Sequence, residues 1–241
     1  MLKKGISVAS KVVKPSVNKS VKLSAAEIIA KAHSGPTYAC KRPIVWIDCE
    51  MTGLDHHNDT ILEICCLVTD EKLKVLDEGY EGVVHHEQSQ LDAMNEWCII
   101  HHGQSGVSAR AREATTTKED VERELLTYLQ KHMPKGVGIL AGNSVHMDRL
   151  FMLKDFPKVV EYLTYRIIDV SSVMEAARRF CPSILEDQPK KKGAHTAKED
   201  IMDSIAQMAY FKDTLFTIPI KDTIKDKETV GDSSSPSSSK A

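Results

Sequence analysis

The sequence predicts an α/β fold, a mixed five-stranded sheet flanked by helices. Two observations carry that expectation. Three apolar runs bounded by turn residues and acids come first and close together, as in an antiparallel meander. Helical spacing then alternates with two further apolar runs, giving the order β-β-β-α-β-α-β-α-α.

The elements follow in order. "PIVWIDCE" (43–50) is an apolar run ending in acids and reads as a buried strand. "ILEICCLVTD" (61–70) is a second strand, and 73–86 a third strand region bent near Gly79. Thr116 and Glu119 have capping-box spacing, and Val121, Leu125 and Leu129 then form one apolar stripe at i, i+4, i+8. "VGILAG" (137–142) is a short strand stopped by Gly142. "MDRLFMLKDF" is a helix that restarts after Pro157. "RIID" (166–169) is the fifth strand, and "VSSVMEAARRF" (170–180) a helix. "KKKG" (190–193) reads as a solvated loop. The last helix, 197–211, turns Ile201, Ile205 and Met208 to one side.

The 241 residues suffice for one sizeable domain with tails. Residues 1–42 hold nine Lys/Arg and one acid, Glu27, about +8, so a net charge of −2 leaves the remainder near −10. Such a body lacks the long basic track that a long polyanion needs. The Lys- and Ser-rich arm (1–42) reads as a mitochondrial transit peptide or a disordered basic arm. Residues 217–241 read as a disordered polar tail. Six cysteines without a C-x-x-C pair or a secretory leader suggest reduced thiols. No apolar run approaches the roughly 20 residues of a membrane span.

Asp48 and Glu50 are two apart on a strand, so both carboxylates project from one face. Two like charges in apolar surroundings call for a cation between them, and oxygen-only ligands suit Mg²⁺ or Mn²⁺. The plain alternative is a strand end emerging into solvent. Asp148, in "AGNSVHMDRLF", opens a helix after a buried strand, where ligands collect in α/β sheets but where acids also cap. His195 precedes Asp200 by five residues, about 140° apart on a helix, so the two share a site only if His195 lies in the loop or first turn. Alone, it reads as an exposed loop histidine. The histidine pairs at 56–57, 85–86 and 101–102 lack a cysteine at zinc-site spacing.

Together the order is Asp-x-Glu, Asp, His-x4-Asp. With "WIDCEMTGLD", "AGNSVHMDRLFM" and "YRIIDVSS", residues 43–216 resemble the DEDDh 3′→5′ exonucleases of the ribonuclease-H-like fold, and more closely the oligoribonuclease family. The resemblance implies that Asp48, Glu50, Asp148 and Asp200 ligate two Mg²⁺ or Mn²⁺ ions. It implies that His195 takes the proton of the attacking water. It further implies a 5′-phosphate cap of Ser144, Arg166 and Ser171, a wedge between the two bases at Leu54, and contacts to a bound dinucleotide from Trp97 and His102. Tyr165 matches a tyrosine supplied by the neighbouring subunit, which implies a homodimer. The family commonly has Arg-Ala-Leu-Asp between its catalytic His and Asp, where this chain has "TAKE".

The expected activity is exonucleolytic conversion of very short RNA to 5′-nucleoside monophosphates, in mitochondria or cytoplasm. The alternatives are an exonuclease on longer RNA or DNA, which a closed cap would exclude, and an inactive RNA-binding relative, which loss of an acid or of His195 would have indicated.

Overall fold

The structure, a computed structural model, describes residues 38, 40–189 and 196–216. The predicted arm apart from residues 38 and 40–42, the predicted tail, the Lys-rich loop and His195 lie outside the described residues. Among those described, five strands form one mixed sheet in the order β3-β2-β1-β4-β5. They are β1 (Ile44–Met51), β2 (Ile61–Thr69), β3 (Tyr80–Val83), β4 (Ile139–Gly142) and β5 (Ile167–Asp169). β1 pairs antiparallel with β2, and β2 with β3, while β4 runs parallel to both β1 and β5.

Alternation along β1 divides the core in two. Val45 and Ile47 face one layer with Val121, Leu125, Leu129, Phe151 and Met152. These come from α4 (Lys118–His132) and α5 (Val145–Asp155). Trp46 faces the other layer with Val170, Ala177, Ile201 and Phe211, from α7 (Val170–Phe180) and α8 (Ala197–Leu215). Its indole N–H donates to Thr69 Oγ1 at 3.0 Å, so the one polar atom of a fully buried ring is satisfied.

Several elements depart from the sequence reading. The third strand keeps only Tyr80–Val83. Gly79 does bend the chain (φ 88°), and upstream only Val75 bridges Thr69. The capping box is one residue later than expected, Thr117 with Asp120: the Thr117 side chain accepts from Asp120 N–H, and Asp120 answers to Thr117 N–H. Pro157 sits at the first position of α6 (Pro157–Tyr162), where its missing N–H is harmless. The last helix continues to Leu215. Three short helices, α1 (Gln88–Asp92), α2 (Glu96–Gln104) and α3 (Val107–Glu113), fill a stretch for which the sequence suggested no element. Each is shorter than the roughly 12 residues an isolated helix needs, and they fold by burying Leu91, Met94, Cys98, Val107 and Ala111 against Leu62. A 3₁₀ turn, Pro182–Asp187, was likewise not foreseen.

Candidate functional site

The sheet topology opens a crevice at the carboxyl end of β1. β1 pairs with β4 over Ile44–Trp46 only and runs on past it. Gly142 ends β4 against the β1 backbone: a Cβ there would meet Ile47 O at 2.7 Å, so only glycine allows this approach. Asp48 and Glu50 follow directly, and the β1–β2 register slips between Glu50 and Met51, a bulge that re-aims the strand end.

Asp48, Glu50 and Asp200 all line one cleft of about 560 Å³. Two strand-end acids thus meet an acid from the first turn of α8, which begins at Ala197 after the cap position Thr196. Asp148, in the first turn of α5, sits behind the wall, 6% exposed. Its Oδ1 accepts from the backbone N–H of Cys49 at 2.9 Å.

The electrostatics are those of acids short of positive charge. Burial pushes the Asp148 carboxyl up to about 7, against the opposing pull of the Cys49 N–H. Burial also raises Glu50; His102 opposes the rise, while Glu63 and Asp200 add to it. Cys49, between the acids, is an inert thiol: burial and then the charges of Asp148 and Asp48 hold it well above its ordinary value. No group of three or more His, Cys, Asp or Glu side chains among the described residues is already gathered closely enough to hold an ion. Repulsion explains the spacing, since Asp148 turns to Cys49 N–H and Glu50 lies 3.7 Å from His102 Nδ1. The donor set nevertheless fits a hard dication. It is all carboxylate oxygen, and two members are held toward protonation by a deficit that a cation would cancel.

His102 is 3% exposed, and Nε2–H donates to Met51 O at 2.9 Å, which leaves Nδ1 for Glu50. Trp97, 61% exposed on α2, borders both this cleft and an adjoining pocket of about 460 Å³. Leu54, 80% exposed, forms the rim of that second pocket. The loop carrying Leu54 is tied by Asp59, which accepts from Thr52 O–H (2.8 Å) and Asp55 N–H (3.0 Å) and packs directly on Gly53.

Ser144 and Ser171 share the cleft wall, with their hydroxyl oxygens 3.1 Å apart. Asn143 ties them to α8: Oδ1 accepts from Ser171 O–H, and Nδ2 donates to Ser204 Oγ at 2.7 Å, one turn beyond Asp200. Arg166 and Tyr165 are not brought to this wall within the single chain. Both are exposed at the edge strand β5, the Arg166 guanidinium 4.7 Å from the Tyr165 ring centre.

Sequence reasoning missed His101, which stacks on Trp97 with ring centres 3.9 Å apart, and the cleft residues Asn143 and Gln207. A signal existed for Gln207. Asp200, Ser204 and Gln207 lie at i, i+4, i+7, a polar stripe on one face of α8.

Comparison with known proteins identifies the family. The family model described as "Exonuclease" matches residues 45–208. The mitochondrial oligoribonuclease of Saccharomyces cerevisiae is 53% identical over 186 residues, covering 74% of this chain and 69% of that protein. The oligoribonuclease of Hydrogenovibrio crunogenus is 44% identical over 173 residues, 72% of this chain and 94% of that protein. Among solved structures, E. coli exonuclease I in complex with a dA16 oligonucleotide aligns with a TM-score of 0.57 at 15% identity. It covers 71% of this chain and 41% of that one, and at such identity it shows the ribonuclease-H-like fold alone. By its family model and its relatives, the chain belongs to the exonuclease family and, within it, to the oligoribonucleases.

Proposed function

We propose that the chain is a 3′→5′ exoribonuclease that hydrolyses very short RNA, dinucleotides above all, to 5′-nucleoside monophosphates. The observation that carries the reading is the meeting in one cleft of Asp48, Glu50 and Asp200 with the serine pair Ser144/Ser171 and the exposed indole of Trp97.

Asp48, Glu50, Asp148 and Asp200 would hold two divalent ions, Mg²⁺ or Mn²⁺. Bound there, the ions supply charge stabilisation for the attacking and leaving oxygens of phosphodiester cleavage. The protein's own groups do the rest. Trp97 offers an indole face and Leu54 an apolar wedge, so bases are held by stacking with little preference of sequence. His102, fixed by Met51 O, stands 3.7 Å from the Glu50 carboxylate on the cleft wall. Ser144 and Ser171 present hydroxyls to the 5′ phosphate, and Arg166, which stands just before β5 and off the cleft wall in the single chain, would have to swing its long side chain across to add a planar guanidinium. His195 accepts the proton of the attacking water. The exposed β5 edge, with Tyr165 74% exposed, suits a homodimer in which Tyr165 serves the partner's cleft. Relatives named as mitochondrial and a bacterial relative fit a mitochondrial or cytoplasmic setting, and the basic arm favours the mitochondrion.

The test is a length series with 5′-labelled RNAs of two to about twenty nucleotides, with Mn²⁺ or Mg²⁺ and an Asp200→Ala control. Fast cleavage of the dinucleotide, slow attack on long RNA and a dead control are expected. Steady shortening of long RNA that leaves dinucleotides behind would assign a general exonuclease instead. No cleavage with either metal would leave an RNA-binding protein.

A further inference from the structure

Ser144 stands in the left-handed region, with φ 52° and ψ 29°, two residues after the end of β4. A serine there is strained, and strain of this kind persists only where the surroundings impose it. The imposing group is Asp169, the last residue of β5 and the cap of α7. Its carboxylate is 8% exposed, and one oxygen, Oδ1, accepts both from Ser144 N–H (3.0 Å) and from Ser171 N–H (3.0 Å). The other, Oδ2, faces His146 Nδ1 at 2.9 Å.

One oxygen atom thus fixes the backbones of both serines, which come from different strand ends 27 residues apart. With both N–H groups committed inward, the serine hydroxyls are set side by side on the cleft wall. A carboxylate beside an anion site is tolerable because three N–H donors engage it and it sits at the positive end of α7.

We propose that Asp169 is the positioning residue for the 5′-phosphate cap: by holding Ser144 in its left-handed conformation and Ser171 in register beside it, it sets the distance at which the enzyme recognises a terminal phosphate. The inference rests on the reading of Ser144 and Ser171 as that cap. Asp169 touches no reacting atom, so its removal should cost recognition of the 5′ phosphate far more than hydrolysis.

The experiment compares kcat/KM for a dinucleotide bearing a 5′ phosphate with that for the same dinucleotide ending in a 5′ hydroxyl. Wild type, Asp169→Ala, Asp169→Asn and His146→Ala proteins are measured, each shown folded by its melting curve. The wild type is expected to favour the phosphorylated substrate by about ten- to a hundredfold, the scale of hydrogen bonds to a charged group. Asp169→Ala should bring that ratio close to one, mostly through KM for the phosphorylated substrate. Asp169→Asn should restore most of the ratio, because a single oxygen suffices for both serine N–H groups. His146→Ala should keep it. A high wild-type ratio that Asp169→Ala leaves intact, or an equal loss on both substrates, overturns the positioning role alone. A wild-type ratio of one overturns the cap reading and the inference with it.

Discussion

Replacing Asp155 by alanine tests whether the loop that carries Leu54 is anchored by the end of α5. The Asp155 side chain, 1% exposed at the end of α5, takes Thr60 O–H at 2.6 Å and Ile61 N–H at 2.9 Å on Oδ2. Lys118 Nζ lies 3.1 Å from Oδ1. Thr60 closes the Leu54 loop, where its carbonyl receives Thr52 N–H at 2.9 Å. Truncation leaves two donors beside fully buried Ile61 without a partner, each worth about 1–3 kcal/mol. Lys118 is 40% exposed and turns to water, so its contribution is small. The loss is then about 3 kcal/mol, which for a chain of this length lowers Tm by roughly 6–12 °C. Asp155→Asn keeps one acceptor and should lose about a third of that. Melting curves followed by circular dichroism supply the measurement, with KM for a dinucleotide as a second readout that rises as the loop loosens. A fall of less than about 2 °C for Asp155→Ala would refute the anchoring argument.

Three further outcomes are expected. Asp148 has a folded-state value raised to about 7, so the native state binds its proton more tightly than the unfolded chain does. Metal-free protein should therefore lose stability as pH rises from about 4 to about 7, and Asp148→Asn should flatten that slope in chelator-treated urea melts while abolishing activity. Trp97→Ala removes an exposed ring, so Tm should shift by no more than the roughly 0.5 kcal/mol of an ordinary surface change. KM for dinucleotides should nonetheless rise about 5- to 150-fold, the scale of one base–aromatic stack, and an unchanged KM would remove Trp97 from the binding surface. Neither Lys nor Arg lines the cleft among the described residues, so binding should release few counterions. Dinucleotide affinity plotted against salt on logarithmic axes should have a slope near −0.7 to −1.4, and a slope steeper than about −3 would point to a long basic groove elsewhere.

What the sequence disclosed was set by length and periodicity. β1 opens on four apolar residues and β2 is apolar but for Glu63 and Thr69, and α4 and α8 carry complete apolar stripes, so each was legible where it stands. The region from residue 86 to 116 was not. Its helices have five, nine and seven residues, and they fold because Leu62 on β2 gives them a surface, a long-range cause that no local pattern encodes. Trp97 and His102 were therefore found only through family resemblance. The acids were partly legible. Strand alternation places Asp48 and Glu50 on one cleft wall, yet it gives no sign that Asp148 would turn behind the wall to the Cys49 amide. Asp169 was invisible for a similar reason, since its role depends on β4 and β5 ending side by side.

The cleft solves a conflict between folding and function with backbone amides rather than cationic side chains. Acids that share a cleft repel one another, and a nearby lysine would relieve the repulsion but would also fill the place of the cation proposed above. Here Asp148 and Asp200 each come from the first turn of a helix and Asp169 from a cap position, where the helix dipole favours negative charge. Asp148 takes the Cys49 amide, and Asp169 takes the amides of Ser144 and Ser171. Amides are fixed in place and cannot follow an incoming ion or be displaced into solvent, so they soften the repulsion without quenching it. The residual deficit, seen in the raised values of Asp148 and Glu50, is what a divalent cation would collect on binding. The same economy limits the substrate. On the proposed reading of Ser144 and Ser171, a wall with two hydroxyls and no lysine among the described residues would hold one end of a short chain well and the middle of a long one poorly.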